Sequence, residues 1–244
     1  MAEPDGSMDI VGCLETEMNT DDRPTRSFQA IIFDLDGTLL DTLADIGDSV
    51  NCMLAEYGFP GHTPDDYTRF IGNGIKMLVI RALPVEGCSG ELVDACVRRA
   101  REIYWENWNN KTRLYEGIIE LLDGLKTMGL PLAVLSNKPH DFTVRYVDAY
   151  FDKLTFKVVM GQNDHFPVKP DPASALDIAR QIGLAPQTFL FVGDSAVDMK
   201  TATAAGMHAV GVAWGFRGPK ELLENGCQTL VTHPLEILSL LQFQ

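Results

Sequence analysis

Ala30-Ile31-Ile32-Phe33-Asp34-Leu35-Asp36-Gly37-Thr38-Leu39-Leu40 is the stretch whose reading decides the fold. Its opening, rich in Ile and Phe, predicts a buried strand. The run ends abruptly in carboxylates at i and i+2, followed by Gly and Thr. A core strand that delivers charge at its C-terminal end belongs to an open α/β sheet, where ligands bind at the carboxyl ends of the strands. Asp34 and Asp36 flank Leu35, near enough either to share a proton or to recruit a cation. Gly37 lets the backbone turn sharply and leaves its N–H approachable, and Thr38 adds a hydroxyl donor. Asp-x-Asp-Gly also describes an ordinary surface turn, so the rest of the chain has to decide between the two.

The chain has 244 residues, enough for one large domain or a domain carrying an insertion. Hydrophobic and charged fractions of 45% and 22% are those of a globular protein. A net charge of −14 argues against nucleic acid and against an anionic membrane surface. An anionic substrate would have to be met by a metal and a few local cations. No apolar run reaches the roughly 18 residues of a membrane span. Residues 1–27 read as a disordered acidic tail, and Met1 to Arg26 lacks the basic start and apolar stretch of a secretory signal. Cys13, Cys52, Cys88, Cys96 and Cys227 are odd in number and scattered, which predicts neither disulfides nor a zinc site but a reducing cytoplasm. Asn110-Lys111-Thr112 matches a glycosylation acceptor by chance.

Beyond the first strand, Thr42 to Tyr57 carries Leu43, Ile46, Val50, Met53 and Leu54 at helical spacing and stops at Gly58 and Pro60. Asp65 to Leu83 is helical but interrupted by Gly72-Asn73-Gly74, and Glu91 to Trp108 predicts a long helix. No convincing strand is predicted from Asp41 to Arg113, so residues 41–113 read as a small all-helical domain. From Tyr115 the pattern alternates. Strands are expected at Pro131–Leu135, Thr155–Met160, Thr188–Val192, His208–Val212 and Thr229–Val231, separated by helices. That alternation implies right-handed crossovers and a parallel sheet covered by helices on both faces, assembled from residues 28–40 and 114–244.

In such a sheet, strand ends converge on one edge. Asp34 with Asp36, Ser136 with Asn137, Lys169-Pro170-Asp171, and Gly193-Asp194 followed by Asp198 all fall at strand ends or in the loops after them. Random placement would scatter them over both edges. Asp34-Leu35-Asp36-Gly37-Thr38-Leu39, Ser136-Asn137, Lys169-Pro170 and Gly193-Asp194-Ser195-Ala196-Val197-Asp198 together resemble the four motifs of the haloacid dehalogenase superfamily, in order and in context. The resemblance covers the chain from about Gln29 onward. It implies a Rossmann-like core, and the helical insertion resembles that superfamily's all-helical cap. Phe70-Ile71-Gly72-Asn73-Gly74, Ser136-Asn137-Lys138-Pro139 and Gly211-Val212-Ala213-Trp214-Gly215 are most similar to phosphoglycolate phosphatases.

A carboxylate with an ordinary pKa of about 3.9 is ionised at neutral pH and able to attack phosphorus, which suits Asp34 as nucleophile. Asp36 is placed to protonate the leaving alkoxide and then to activate water. The resemblance implies Mg2+ held by Asp34, the Asp36 carbonyl and Asp194, and few protein oxygens with several waters suit that ion. Lys169 is the expected fixed cation beside the reacting centre. Thr38, Ser136 and Asn137 are expected to hydrogen-bond the phosphoryl group. The loop Gly72, Asn73, Gly74 is a candidate for substrate selection, and Asp198 is expected to support Lys169 or the metal's waters. Lys76 and Arg81 read as solvated surface, His165 as a loop residue, and Trp105 and Trp108 as packing. The expected activity is hydrolysis of a small phosphorylated metabolite, 2-phosphoglycolate first, by a monomer or homodimer. A pyrophosphatase, a phosphomutase and a catalytically silent binding module are the alternatives. A dehalogenase would have no use for Asp36.

Overall fold

A computed structural model describes Met1, residues 28–84 and residues 89–241. The acidic tail, Cys13 and Cys88 lie outside the described residues. The elements in order are β1 (Ala30–Phe33), β2 (Leu40–Asp41), α1 (Leu43–Glu56), α2 (Pro64–Phe70), α3 (Gly74–Ala82) and α4 (Gly90–Asn107). Next come β3 (Arg113–Leu114), α5 (Ile118–Thr127), β4 (Leu132–Pro139), α6 (His140–Tyr150), β5 (Val158–Gln162) and α7 (Ala173–Ile182). The chain continues through β6 (Phe189–Gly193), α8 (Ala196–Ala205), β7 (His208–Val212), α9 (Pro219–Glu224), β8 (Thr229–Val231) and α10 (Glu236–Ser239).

Among the described residues, six parallel strands form one sheet in the order β5-β4-β1-β6-β7-β8. The chain builds outward from β1 to β5, then returns to the other side of β1 to lay down β6. That reversal leaves a crevice at the carboxyl end of β1, where an open α/β sheet binds its ligand. The period-two pleat sorts the side chains. Ile31 and Phe33 enter one hydrophobic core with α5, α6 and the helical insertion, while Ala30 and Ile32 enter a second with α7 and α8. Both faces of β1 are thereby dry, which explains its continuous apolar run.

The insertion comprises α1 to α4. Thr63 and Asp66 form a reciprocal capping box ahead of Pro64, which fixes the start of α2. α4 packs against α1 and α3, and α3 also touches β4. The expectation of no strand from Asp41 to Arg113 needs correction at its ends. Leu40 pairs with Leu114 and Asp41 with Arg113, antiparallel, and the Arg113 guanidinium meets Asp41 at 2.6 Å. A ribbon two residues long is too short to show alternation. It ties together the chain segments entering and leaving the helices. β4 also runs on past Leu135 to Pro139 with an irregular register, so Ser136 and Asn137 lie within the strand's end.

Candidate active site

β1 ends at Phe33, and the Asp34 N–H is held by the Val192 carbonyl of β6 at 2.9 Å. The Asp34 side chain therefore faces the crevice. Its Oδ1 accepts a 2.8 Å bond from Lys169 Nζ, which also donates to Asp198 Oδ1 at 2.6 Å and to the Leu135 carbonyl at 3.0 Å. All three ammonium hydrogens are committed, and the lysine is 3% exposed. The loop carrying it is clamped by Asn137, whose Oδ1 accepts from the Lys169 N–H while its Nδ2 donates to the Lys169 carbonyl. The same Nδ2 reaches the Gly72 carbonyl at 2.9 Å. The Asn137 amide is thus occupied in holding two loops, Lys169's and Gly72's.

Asp194 follows β6 and accepts the Phe216 N–H at 2.7 Å. The backbone approaches it closely: a Cβ on Gly215 would lie 2.2 Å from Asp194 Cβ, and one on Gly37, at φ +85°, 2.2 Å from its Oδ2. No side chain fits at either place. Asp198 opens α8, where its Oδ2 accepts the Ser195 N–H while its Oδ1 serves Lys169.

Carboxylate oxygens of Asp34, Asp194 and Asp198 lie within 4.8 Å of one another, all buried. One lysine cannot balance three carboxylates. Burial pushes the Asp34 carboxyl up to about 7 against the pull of Lys169. Burial, then the charges of Asp198 and Asp34, hold Asp194 well above the usual carboxylate range. Burial acts to lower the Lys169 ammonium, but the Asp198 and Asp34 charges outweigh it and the pKa rises. A buried group of hard oxygens with surplus negative charge is a fitting seat for a small divalent cation such as Mg2+.

A cleft joins this floor to the helical insertion. Asp34, Asp36, Ser136, Asn137, Lys169 and Asp194 border it. Gly72 and Gly74 border it too, whereas Asn73 turns its Oδ1 to Arg81 at 2.8 Å. Thr38 is buried beneath the site. Its Oγ1 is the one buried side-chain N or O without a partner among the described residues.

Lys138, Arg217 and Arg81 carry more of the site than the sequence suggested. Lys138 Nζ grips both oxygens of Asp36, at 2.9 and 3.0 Å, and lies 4.9 Å from the ring centres of Tyr104 and Tyr146. Thr42 Oγ1 adds a 2.7 Å bond to Asp36 Oδ1. Adjacency to Ser136-Asn137 was the available signal for Lys138. Arg217 reaches from the β7–α9 loop to the carbonyls of Arg69 and Ile71 at 3.1 and 2.9 Å. Arg81 is half-buried rather than solvated and braces the Phe70 carbonyl at 2.8 Å. Lys76 is exposed beside Asp94, as expected of surface. Trp105 and Trp108 stack on the Arg145 guanidinium, 4.2 and 4.5 Å from their ring centres, in a packing role. His165 stays on an exposed loop.

Fold and site define an α/β enzyme that gathers carboxylates and a buried lysine at the carboxyl edge of a parallel sheet. Residues 31–212 match the haloacid dehalogenase-like hydrolase family, and the chain belongs to that family. It is 37% identical over 195 residues to the phosphoglycolate phosphatase of Mannheimia succiniciproducens, covering 78% of this chain and 87% of that one. It is 31% identical over 218 residues to phosphoglycolate phosphatase 1 of Pseudomonas aeruginosa, covering 88% and 80%. The crystal structure of a predicted phosphoglycolate phosphatase from Haemophilus somnus superposes with a TM-score of 0.83 at 30% identity, covering 88% of this chain and 98% of that one. No helix among the described residues is long and apolar enough to cross a membrane.

Proposed function

We propose that the chain is a Mg2+-dependent phosphatase of a small phosphomonoester, with 2-phosphoglycolate the leading substrate, acting in the cytoplasm through an aspartyl-phosphate on Asp34. The observation that carries this reading is the buried Lys169 bridge to Asp34 and Asp198 beside Asp194. Asp34, Asp194 and the Asp36 carbonyl would hold the cation, which supplies charge neutralisation for the phosphoryl oxygens.

The Asp34 carboxylate attacks phosphorus, forming the acyl-phosphate bond as the ester P–O bond breaks. Asp36, positioned by Lys138 and Thr42, must enter this step protonated, and it gives that proton to the departing alkoxide. In the second half, Asp36 takes a proton from water as that water attacks phosphorus, releasing phosphate and restoring Asp34. Lys169 keeps the nucleophile placed and its charge beside the reacting centre. Ser136, which borders the cleft, and Thr38, next to Gly37 in the Asp34 loop, would assist the phosphoryl group through their hydroxyls. The helices α1 to α4 serve as a cap that excludes water. Its Gly72–Gly74 edge is fastened to the core by Asn137 and, through the neighbouring carbonyls, by Arg217.

The test is phosphate release with Mg2+ over a panel of 2-phosphoglycolate, pyrophosphate, sugar phosphates and p-nitrophenyl phosphate. The highest kcat/KM is expected for 2-phosphoglycolate. Preference for pyrophosphate, or transfer to a sugar phosphate instead of water, overturns it.

The elevated carboxyl groups also predict how metal acts on stability. A carboxyl raised from about 3.9 in the unfolded chain to about 7 in the fold favours folding below its unfolded pKa. That contribution is lost as pH rises toward 7. Metal-free protein therefore carries a penalty from Asp34 that grows across this window, with the raised Asp194 adding in the same direction, and a bound cation removes it. The rise in Tm on adding millimolar Mg2+ should be small at pH 5 and several degrees at pH 7.5. A rise independent of pH contradicts the assignment.

A further inference from the structure

The cleft has two unlike halves. Its floor is charged, as described above. Its upper wall, where a leaving group would lie, is made by Ile46 and Val50 of α1, Ile71, Ile75 and Leu78 around and along α3, and Phe142 of α6. The hydroxyl hydrogens on this wall are already donated within the fold, so few polar groups there are open to a ligand. Ser49 Oγ donates to the Asp45 carbonyl at 2.7 Å. Tyr146 gives its hydroxyl hydrogen to the Trp108 carbonyl, so the 2.7 Å contact between the two tyrosine hydroxyls is donated by Tyr104. Lys138 is turned onto Asp36, and Asn137 onto Lys169 and Gly72. A polyhydroxylated leaving group would lay most of its hydroxyls against Ile46, Val50, Ile71, Ile75, Leu78 and Phe142, where few partners replace the lost water, and a buried hydroxyl left unpaired is costly.

We infer that the chamber above Asp34 selects phosphomonoesters whose leaving alcohol is apolar-bodied and poor in hydroxyls, and turns away sugar phosphates. This rests on the phosphatase reading and adds the class of leaving group. Arg217 borders the chamber and keeps N–H groups beyond those on the Arg69 and Ile71 carbonyls, which supply the attraction for a carboxylate close to the ester, while chain length beyond that point meets apolar side chains.

The test pairs n-pentyl phosphate with ribitol 5-phosphate. Both are primary esters of five carbons, differing in four hydroxyls. Full-length protein with Mg2+ should favour n-pentyl phosphate in kcat/KM by about 10²-fold, the order reached when apolar pockets meet an added hydroxyl. Leu78→Gln places an amide in the wall at nearly constant volume and should narrow that ratio at least several-fold. The ratio compares two substrates on one preparation, so a partly folded variant does not distort it. Equal or reversed preference with both esters cleaved overturns the inference and leaves the phosphatase reading standing. So does release from p-nitrophenyl phosphate and 2-phosphoglycolate without release from n-pentyl phosphate. A ratio untouched by Leu78→Gln shows that this wall is not the discriminator. Release from none of the four esters overturns both readings.

Discussion

Asp34→Asn is expected to lower kcat for p-nitrophenyl phosphate by about 10⁴-fold or more, the scale seen when a covalent nucleophile is removed. An amide oxygen is too weak a nucleophile to form the acyl-phosphate, and the neighbouring carboxylates have other tasks, Asp194 holding the Phe216 N–H and serving the cation. Asp198 is tied to Lys169 and Ser195, and Asp36 to Lys138 and Thr42. The same substitution should leave the metal-free protein as stable as the parent or more so at pH 8. Burial and the neighbouring Asp198 charge penalise the Asp34 carboxylate, and an amide of the same shape escapes that penalty while still accepting from Lys169. Loss of turnover with an unchanged or raised Tm separates chemistry from unfolding. Residual turnover above about one part in 10² would remove Asp34 from the nucleophile's role.

The parts of this site legible in the sequence are those whose signal is local. Asp34 and Asp36 follow an unbroken apolar run, and Asp194 and Asp198 follow another, so strand and charge are read together. Topology then supplies convergence, because parallel strands point their ends the same way. The illegible parts depend on where a side chain turns. Asn137 carries the same amide whether it faces a phosphate or a loop, and in the fold its groups are taken up by Lys169 and Gly72. Lys138 lies beside a motif residue, yet its partner Asp36 is 102 positions away. Arg217 binds carbonyls at the C-terminal end of α2, 146 and 148 positions away, a pairing that only the docking of insertion on core creates. The apolar upper wall is similar: Val50, Leu78 and Phe142 read as helix core, and their facing the cleft emerges only from the packing of α1, α3 and α6.

Lys169→Met should be the most destabilising single change in the site as well as an inactivating one. The substitution keeps the stem's volume but removes the cation from among three buried carboxylates. Leaving a buried ion pair with one partner costs about 3–5 kcal/mol, and here two acidic partners and the Leu135 carbonyl are stranded together. The sign with pH follows from the same groups. At pH 5 Asp34, raised by burial and released from the lowering pull of Lys169, takes up a proton and the loss is partly relieved, with the raised Asp194 acting in the same direction. As pH rises that relief fades and the loss grows. The Tm gap between parent and variant, measured without metal, should therefore widen as pH rises from 5 to 8. Adding Asp198→Asn to Lys169→Met removes one stranded charge while retaining an acceptor for the Ser195 N–H, so Tm should recover substantially. Turnover should not, because Asp34 would still lack the cation that places it. A double variant that regains activity along with stability would show that Lys169 serves the fold alone. A single variant as stable as the parent would mean the carboxylates do not share one low-dielectric site.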